Sequence, residues 1–99
     1  MKNLFNLSSL SIEEITAILD RAQQFADGEK SDRAKGKVVA SLFFEPSTRT
    51  QNSYSTAVMR LGGQVLTFNS SVSSMTKGET FYDTVKVFES LGCDAAIIR

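Results

Sequence analysis

The stretch Phe43-Phe44-Glu45-Pro46-Ser47-Thr48-Arg49-Thr50 joins a strand pattern to a helix pattern. A β-branched and aromatic run over residues 38–44 leads into it, and helical spacing of apolar residues follows it. We therefore predict that residues 47–50 form the turn between a buried strand and the first turn of a helix. Backbone N–H groups at such a turn have no intrahelical partner, and the helix dipole adds partial positive charge there. The stretch is thus a candidate anion site.

Arg49 conflicts with the usual charge preference of a helix N-terminus, where acidic residues are favoured. The next residues, Gln51 and Asn52, supply no acid. A bound phosphate would resolve this conflict, because a guanidinium group makes two-point contacts with phosphate oxygens. The alternative is that Ser47 or Thr48 is only an N-cap and that Arg49 points to solvent.

The composition is that of an ordinary small globular domain. The chain has 99 residues, 41% of them hydrophobic, and its 11 basic and 11 acidic residues give a net charge of zero. This balance argues against nucleic acid as a partner. No apolar stretch is long enough to span a membrane, and the first residues do not resemble a signal peptide. We therefore expect no membrane partner and a cytoplasmic location.

Cysteine and histidine usage excludes several kinds of site within these residues. Cys93 is the single cysteine, so no intrachain disulfide can form, and a small buried hydrophobe is a better interpretation of it than a catalytic thiol. The chain has no histidine, which excludes histidine-dependent triads and histidine metal sites within it. The acidic residues are scattered, so we expect no metal site.

The hydrophobic pattern predicts a first helix followed by alternating strands and helices. Capping boxes mark two helix starts, at Ser11 with Glu14 and at Thr80 with Asp83. The expected helices cover about 12–26, about 49–61 and the segment that ends at Gly92, and the expected strands cover about 38–44, 64–68 and 94–98. Two right-handed crossovers then predict an α/β fold, in three layers, with a parallel sheet between flanking helices.

Three candidate groups follow the carboxyl ends of the predicted strands, where parallel sheets bind ligands. They are the 47–50 turn, the hydroxyl-rich loop 69–79 that carries Lys77, and Arg99. The loop is long for a strand-to-helix connection, which is typical of binding loops, although a plain surface loop also fits its composition. The shared edge favours a phosphate site. Because the last strand stops at Arg99, we also expect the chain to be the N-terminal portion of a longer protein.

The segment 44–50 resembles the carbamoyl-phosphate signature of the carbamoyltransferases. Pro46 is similar to the aspartate form of that signature, whereas the ornithine enzymes usually carry a lysine before Ser-Thr-Arg-Thr. Four further segments also resemble aspartate-type catalytic chains, in the right order over nearly the whole sequence. They are Leu61-Gly62-Gly63, Ser73 to Thr80, Asp83-Thr84 and Ile97-Ile98-Arg99. Lys77-Gly78-Glu79 favours the aspartate enzyme over its ornithine relative.

The resemblance implies the site residues. Ser47, Thr48, Arg49 and Thr50 would bind the phosphate of carbamoyl phosphate, and Thr50 and Arg99 would also reach its carbonyl oxygen. Arg49, Thr50 and Arg99 would then be the catalytic residues of this chain, with no metal, no organic cofactor and no covalent nucleophile.

The resemblance also implies an assembly. Ser73 and Lys77 would act on the active site of a neighbouring subunit, with Lys77 contacting both phosphate and aspartate. The expected partners are carbamoyl phosphate, L-aspartate and two further copies of the chain in a homotrimer with shared active sites. Association with regulatory or other pathway chains is left open.

The implied function is transfer of the carbamoyl group to the amine of L-aspartate in pyrimidine (UMP) biosynthesis. Residues 1–99 would be a partial carbamoyl-phosphate-binding domain, truncated after the third strand. The family's catalytic histidine and aspartate-binding domain would be absent, so the fragment itself would be inactive. Departures from the family pattern lie just beyond the signature, at Gln51, Asn52, Tyr54 and Ser55. The alternatives are an ornithine-type carbamoyltransferase and a stand-alone phosphate-binding or assembly module without catalysis.

Overall fold

The computed structural model describes residues 3–69 and 80–99 and divides into two units, residues 1–30 and residues 31–99. The first unit contains a short 3-10 turn, Leu7–Ser9, and helix α1, Ile12–Ala26. The predicted capping box at the start of α1 is confirmed. The Glu14 backbone N–H donates to Ser11 Oγ over 3.1 Å, and the Ser11 backbone N–H donates to Glu14 Oε1 over 2.9 Å.

Within residues 31–69 and 80–99, the second unit is a parallel three-stranded sheet with two helices, as the sequence predicts. The strands occur in the spatial order β2-β1-β3, and both pairings are parallel. Val39 of the central strand lies opposite Val65 on one side and Ala95 on the other. The elements in chain order are β1 (Val38–Phe43), α2 (Thr48–Arg60), β2 (Gln64–Asn69), α3 (Phe81–Ser90) and β3 (Ala95–Ile98). These bounds agree closely with the predicted ones.

Strand β1 is the most deeply buried element of this unit, because other elements cover both of its faces. Leu42 and Ala40, on one face, are fully buried and form a core with Phe68 of β2. Val85 and Phe88 of α3 pack against that core. Alternation along the strand turns its other residues to the opposite face, which contacts α2. The predicted three layers are thus α2, the sheet and α3.

Aromatic rings reinforce the α3 face of the sheet. The Phe68 ring lies 6.3 Å from the Phe88 ring in an edge-on arrangement, and the Phe44 ring lies 4.8 Å from Phe68 and 5.1 Å from Phe81. Cys93 is half-buried and packs against the same core, which agrees with its interpretation as a small hydrophobe. The rings hold the residue after β1, Phe44, in place at the edge where the candidate turn begins.

Two glycines complete the turn between α2 and β2. Gly62 has a φ of +88°, a conformation that other residues adopt only with strain. At Gly63 an added Cβ would lie 2.9 Å from Val58 Cγ1 and 3.1 Å from Ala34 Cβ, so a side chain there would require these neighbours to shift. The predicted glycine stop is therefore confirmed.

No helix within residues 3–69 and 80–99 is both long enough and apolar enough to cross a membrane.

Candidate functional site

The candidate site lies where the carboxyl ends of β1 and β3 meet. Ile98 is the register partner of Leu42, and strand-like pairing continues one residue further. The Arg99 backbone N–H donates to the Leu42 carbonyl over 3.0 Å, and the Phe44 N–H donates to the Arg99 carbonyl over 2.7 Å. The main chain of Arg99 is therefore fixed beside the start of the 44–50 segment. In the 2-1-3 order of doubly wound sheets, ligands bind between these two strand ends.

The Arg99 side chain contacts the segment at three points. Its Nη1 donates to Ser47 Oγ over 2.7 Å and to Thr50 Oγ1 over 3.1 Å. Its Nε donates to Glu45 Oε1 over 3.0 Å in an ion pair whose two side chains are 47% and 63% exposed. The structure thus brings together Ser47, Thr50 and Arg99, three of the residues that the sequence singled out.

Ser47 stands at the N-cap position of α2 but does not cap the helix. Its backbone is at φ −162° and ψ 72°, and its side chain accepts no hydrogen bond from the first turn. The corresponding side chains of Ser11 and Thr80 both accept such bonds, at α1 and α3. The interpretation of Ser47 as a plain N-cap is therefore wrong, because its oxygen accepts from Arg99 instead.

The first turn of α2 contains no acidic side chain to balance the helix dipole. Thr48 and Arg49 are exposed, and Thr50 and Ser47 are half-buried. Backbone N–H groups in a first turn have no intrahelical carbonyl to bond. A first turn with such N–H groups and no acidic side chain favours a small anion.

Two contacts at this edge were not predicted. Glu45 had no predicted role, although an acid next to a cationic turn is a signal for an ion pair. It is the ion-pair partner of Arg99. Gln51 was noted only as a residue that supplies no acid and as a departure from a family pattern. Its Nε2 donates to Ser41 Oγ over 3.4 Å, from the first turn of α2 to the buried face of β1. Sequence spacing gives no signal for that contact, because the two residues belong to different elements.

Two further predicted site residues, Ser73 and Lys77, belong to the loop 69–79. Ser73 and Lys77, with the rest of the predicted loop from residue 70 onward, lie outside the described residues. Within the described parts of the chain, no group of three or more acidic or cysteine side chains is placed to hold a metal ion.

The comparisons with known proteins agree on one family. The family model described as "Aspartate/ornithine carbamoyltransferase, carbamoyl-P binding domain" matches residues 2–99. The aspartate carbamoyltransferase catalytic subunit of Listeria innocua is 43% identical over 99 residues, which are 100% of this chain and 33% of the relative. The chain therefore spans about a third of the length of the curated relatives that it matches.

Solved structures show the same similarity. Aspartate transcarbamoylase from Trypanosoma cruzi, in complex with carbamoyl aspartate and phosphate, superposes with a TM-score of 0.85 at 32% identity, over 99% of this chain and 31% of that one. Ornithine carbamoyltransferase from Pyrococcus furiosus superposes with a TM-score of 0.82 at 35% identity, over 99% of this chain and 32% of that one. The two acceptor types share this part of the fold.

Proposed function

The chain belongs to the aspartate/ornithine carbamoyltransferases through their carbamoyl-phosphate-binding domain, and from this we propose that its protein transfers the carbamoyl group of carbamoyl phosphate to L-aspartate. The products would be N-carbamoyl-L-aspartate and phosphate. The observation that carries this proposal is the Arg99 guanidinium, which joins Ser47 and Thr50 at the uncapped start of α2.

We assign the phosphate of the substrate to the first turn of α2. Ser47, Thr48 and Thr50 supply hydroxyl donors, the turn supplies backbone N–H donors, and Arg49 supplies a charged two-point contact. Because Arg49 is exposed, its side chain is free to close over an anion. The acidic Glu45 is already paired with Arg99 through Nε.

The carbonyl oxygen of the substrate is assigned to Thr50 and Arg99. The aspartate amine forms a C–N bond to the carbamoyl carbon, and negative charge develops on that oxygen in the tetrahedral intermediate. Donors already fixed towards the charge stabilise the transition state more than the substrate. The C–O bond to phosphate then breaks, phosphate leaves with the bonding electron pair, and it can accept the proton that the amine loses.

The proposal extends to the rest of the enzyme. Residues 1–99 would form part of the carbamoyl-phosphate-binding domain, and the aspartate-binding domain would lie outside them, which agrees with the third of the relatives' length that the chain spans. The 99 residues alone would then bind the substrate without turnover. We place the enzyme in pyrimidine biosynthesis in the cytoplasm, as a homotrimer in which Ser73 and Lys77 complete a neighbour's site.

Aspartate is proposed as the acceptor in preference to ornithine. Pro46 and Lys77-Gly78-Glu79 follow the aspartate-type pattern, and the curated relatives carry the aspartate enzyme's name. Because the chain is also similar to the Pyrococcus furiosus ornithine enzyme, L-ornithine is the alternative acceptor to test against L-aspartate.

The decisive experiment assays the product of the complete reading frame with ¹⁴C-carbamoyl phosphate and either L-aspartate or L-ornithine. Labelled carbamoyl-aspartate is expected, and Arg49→Ala should lower kcat/KM by about 10²- to 10³-fold, the usual effect of removing one charge-stabilising donor. Arg60→Ala is the matched control, because Arg60 is an exposed arginine at the opposite end of the same helix.

Three results would contradict the proposal in different ways. Labelled citrulline in place of carbamoyl-aspartate would assign the ornithine reaction. Binding of carbamoyl phosphate without transfer to either amine would favour a phosphate-binding module. Near wild-type turnover by Arg49→Ala would remove the role assigned to Arg49.

A further inference from the structure

We propose that Gln51 is a positioning residue for the anion site and that it acts through Ser41. This inference rests on the proposed function and assigns a role to a residue outside the set proposed to contact carbamoyl phosphate. It starts from a contact between the first turn of α2 and the central strand, in which Gln51 Nε2 donates to Ser41 Oγ over 3.4 Å.

Ser41 is an unusual anchor because it is a polar side chain inside the sheet. It is only 1% exposed, and Val39 and Phe43, its neighbours on the same face of β1, are buried and apolar. Buried hydroxyl groups require a hydrogen-bond partner. Within residues 3–69 and 80–99, the side chain that meets this need is the amide of Gln51. The contact therefore satisfies the buried hydroxyl of Ser41.

Gln51 also holds the candidate turn through its main chain. Its backbone N–H donates to the Ser47 carbonyl over 2.9 Å, which is the first helical hydrogen bond of α2. One residue thus bonds to Ser47, where the anion site begins, and to Ser41, in the rigid centre of the sheet. Loss of the Gln51–Ser41 contact would remove a link between the start of α2 and β1.

The position of α2 matters because Arg99 is fixed independently. The Arg99 main chain is bonded to Leu42 and Phe44 at the end of β1, whereas Ser47 and Thr50 belong to the turn and the helix. Arg99 Nη1 lies 2.7 Å from Ser47 Oγ and 3.1 Å from Thr50 Oγ1. Both distances depend on the distance between the start of α2 and the sheet. Displacements of about 1 Å at such groups are enough to cost about 100-fold in rate.

The uncharged side chain of Gln51 fits this role better than a charged one would. A carboxylate here could still accept a hydrogen bond from Ser41 but would place negative charge in the turn that is to bind phosphate. The amide fixes the turn without adding charge to it. Geometry and charge can therefore be separated by comparing an alanine and a glutamate at position 51.

The test measures steady-state kinetics and carbamoyl-phosphate binding in the product of the complete reading frame. Gln51→Ala should raise KM for carbamoyl phosphate by about tenfold and change KM for aspartate by less than about twofold, as expected when the geometry of one substrate's site is loosened. Ser41→Ala should produce the same split. The double variant should be no worse than either single one, because both remove the same contact. Asn52→Ala, which removes an exposed amide from the same turn, is the matched control and should leave both constants unchanged.

Gln51→Glu separates positioning from charge: weaker carbamoyl-phosphate binding that recovers as the pH falls and the carboxylate is protonated would support the proposal. Additive effects of the two single variants, or equal changes in both KM values, would overturn it, as would unchanged kinetics of Gln51→Ala. Absence of carbamoyl transfer by the wild type is a separate result that counts against the proposed function. In that case inorganic phosphate is titrated into wild type and Gln51→Ala, and binding is monitored through the NMR signals of the backbone amides of residues 48–50. Weaker phosphate binding by Gln51→Ala would support the positioning role, and equal binding would overturn it.

Discussion

The Arg99 guanidinium, at the end of β3, donates to the hydroxyl of Ser47, the residue that precedes α2, over 2.7 Å. The two residues are 52 positions apart in the sequence. A serine at a helix start normally caps the helix with its side-chain oxygen. In Ser47 that oxygen instead accepts from the Arg99 guanidinium at the neighbouring strand end. Because Ser47 contacts Arg99 and does not cap α2, the stability of α2 and anion binding at its N-terminus can be measured separately.

Ser47→Ala should have little effect on the free energy of unfolding. Loss of a serine N-cap costs about 0.5–2 kcal/mol when the side chain caps the helix, but Ser47 makes no cap hydrogen bond. Ser11→Ala, which removes a real capping box, is the matched comparison and should cost about 1 kcal/mol. Urea denaturation followed by circular dichroism measures both. A loss at Ser47 as large as the one at Ser11 would show that the hydroxyl supports the helix after all.

Arg99→Lys should lower kcat while leaving the fold intact. A lysine ammonium keeps the positive charge but lacks the planar guanidinium, which reaches two hydroxyls through Nη1 and Glu45 through Nε. If Arg99 acts on the developing oxyanion, kcat should fall by about 10²-fold or more. The measurement is single-turnover carbamoyl transfer by the complete protein. An unchanged kcat with a raised KM would assign Arg99 to ground-state binding instead.

Glu45→Gln should change anion binding more than stability. The Glu45–Arg99 pair is exposed on both sides, so its loss should cost no more than about 1 kcal/mol of unfolding free energy. Removing the carboxylate leaves the nearby Arg99 charge uncompensated, so inorganic phosphate should bind several-fold more tightly at low salt. Screening should remove most of this gain at about 1 M salt. Calorimetric titration at the two ionic strengths checks the prediction, and weaker binding at low salt would contradict it.

The secondary structure could be predicted because each element carries a local signal. Glycines mark the ends of α2 and α3, capping boxes mark the starts of α1 and α3, and a β-branched run marks β1. The grouping of Arg99 with the 47–50 turn followed from a topological rule for parallel sheets, since both come directly after strands.

The missed contacts depend on tertiary geometry that local patterns do not encode. The pairing of Glu45 with Arg99 requires β3 to lie beside β1, and the strand order was not predicted from the sequence. The Gln51–Ser41 contact requires the height of α2 above the sheet, which packing determines. The sequence therefore predicted that Arg99 lies beside the 47–50 turn, but not the contacts of Glu45 and Gln51.

The capping box of α1 should make that helix less stable in acid. The Ser11 backbone N–H, which donates to the Glu14 carboxylate, is the main cause that holds the pKa of Glu14 below its ordinary value, and the Ser11 hydroxyl adds to it. A lowered folded-state pKa means that the contribution is complete above the ordinary glutamate pKa and is lost as the pH falls through the lowered one. A carboxyl ¹³C titration by NMR should give the shifted pKa directly. Ser11→Ala removes the hydroxyl but keeps the backbone N–H, so the Glu14 pKa should rise only in part and stay below its ordinary value. A Glu14 pKa at its ordinary value in wild type would contradict the backbone cause.

Leu42→Ala should be among the most destabilising single substitutions in the sheet unit. Leu42 is fully buried in the central strand and belongs to the core on the α3 face. Its own carbonyl accepts from the Arg99 backbone N–H. Truncation of such a leucine removes buried apolar surface and leaves a cavity, at a cost of about 2–5 kcal/mol. Leu19→Ala in α1 is the matched control, because Leu19 is 63% exposed and alanine favours a helix equally well. Chemical denaturation of both variants measures the difference. A cost at Leu42 below about 1 kcal/mol would mean that the sheet core repacks around the lost side chain.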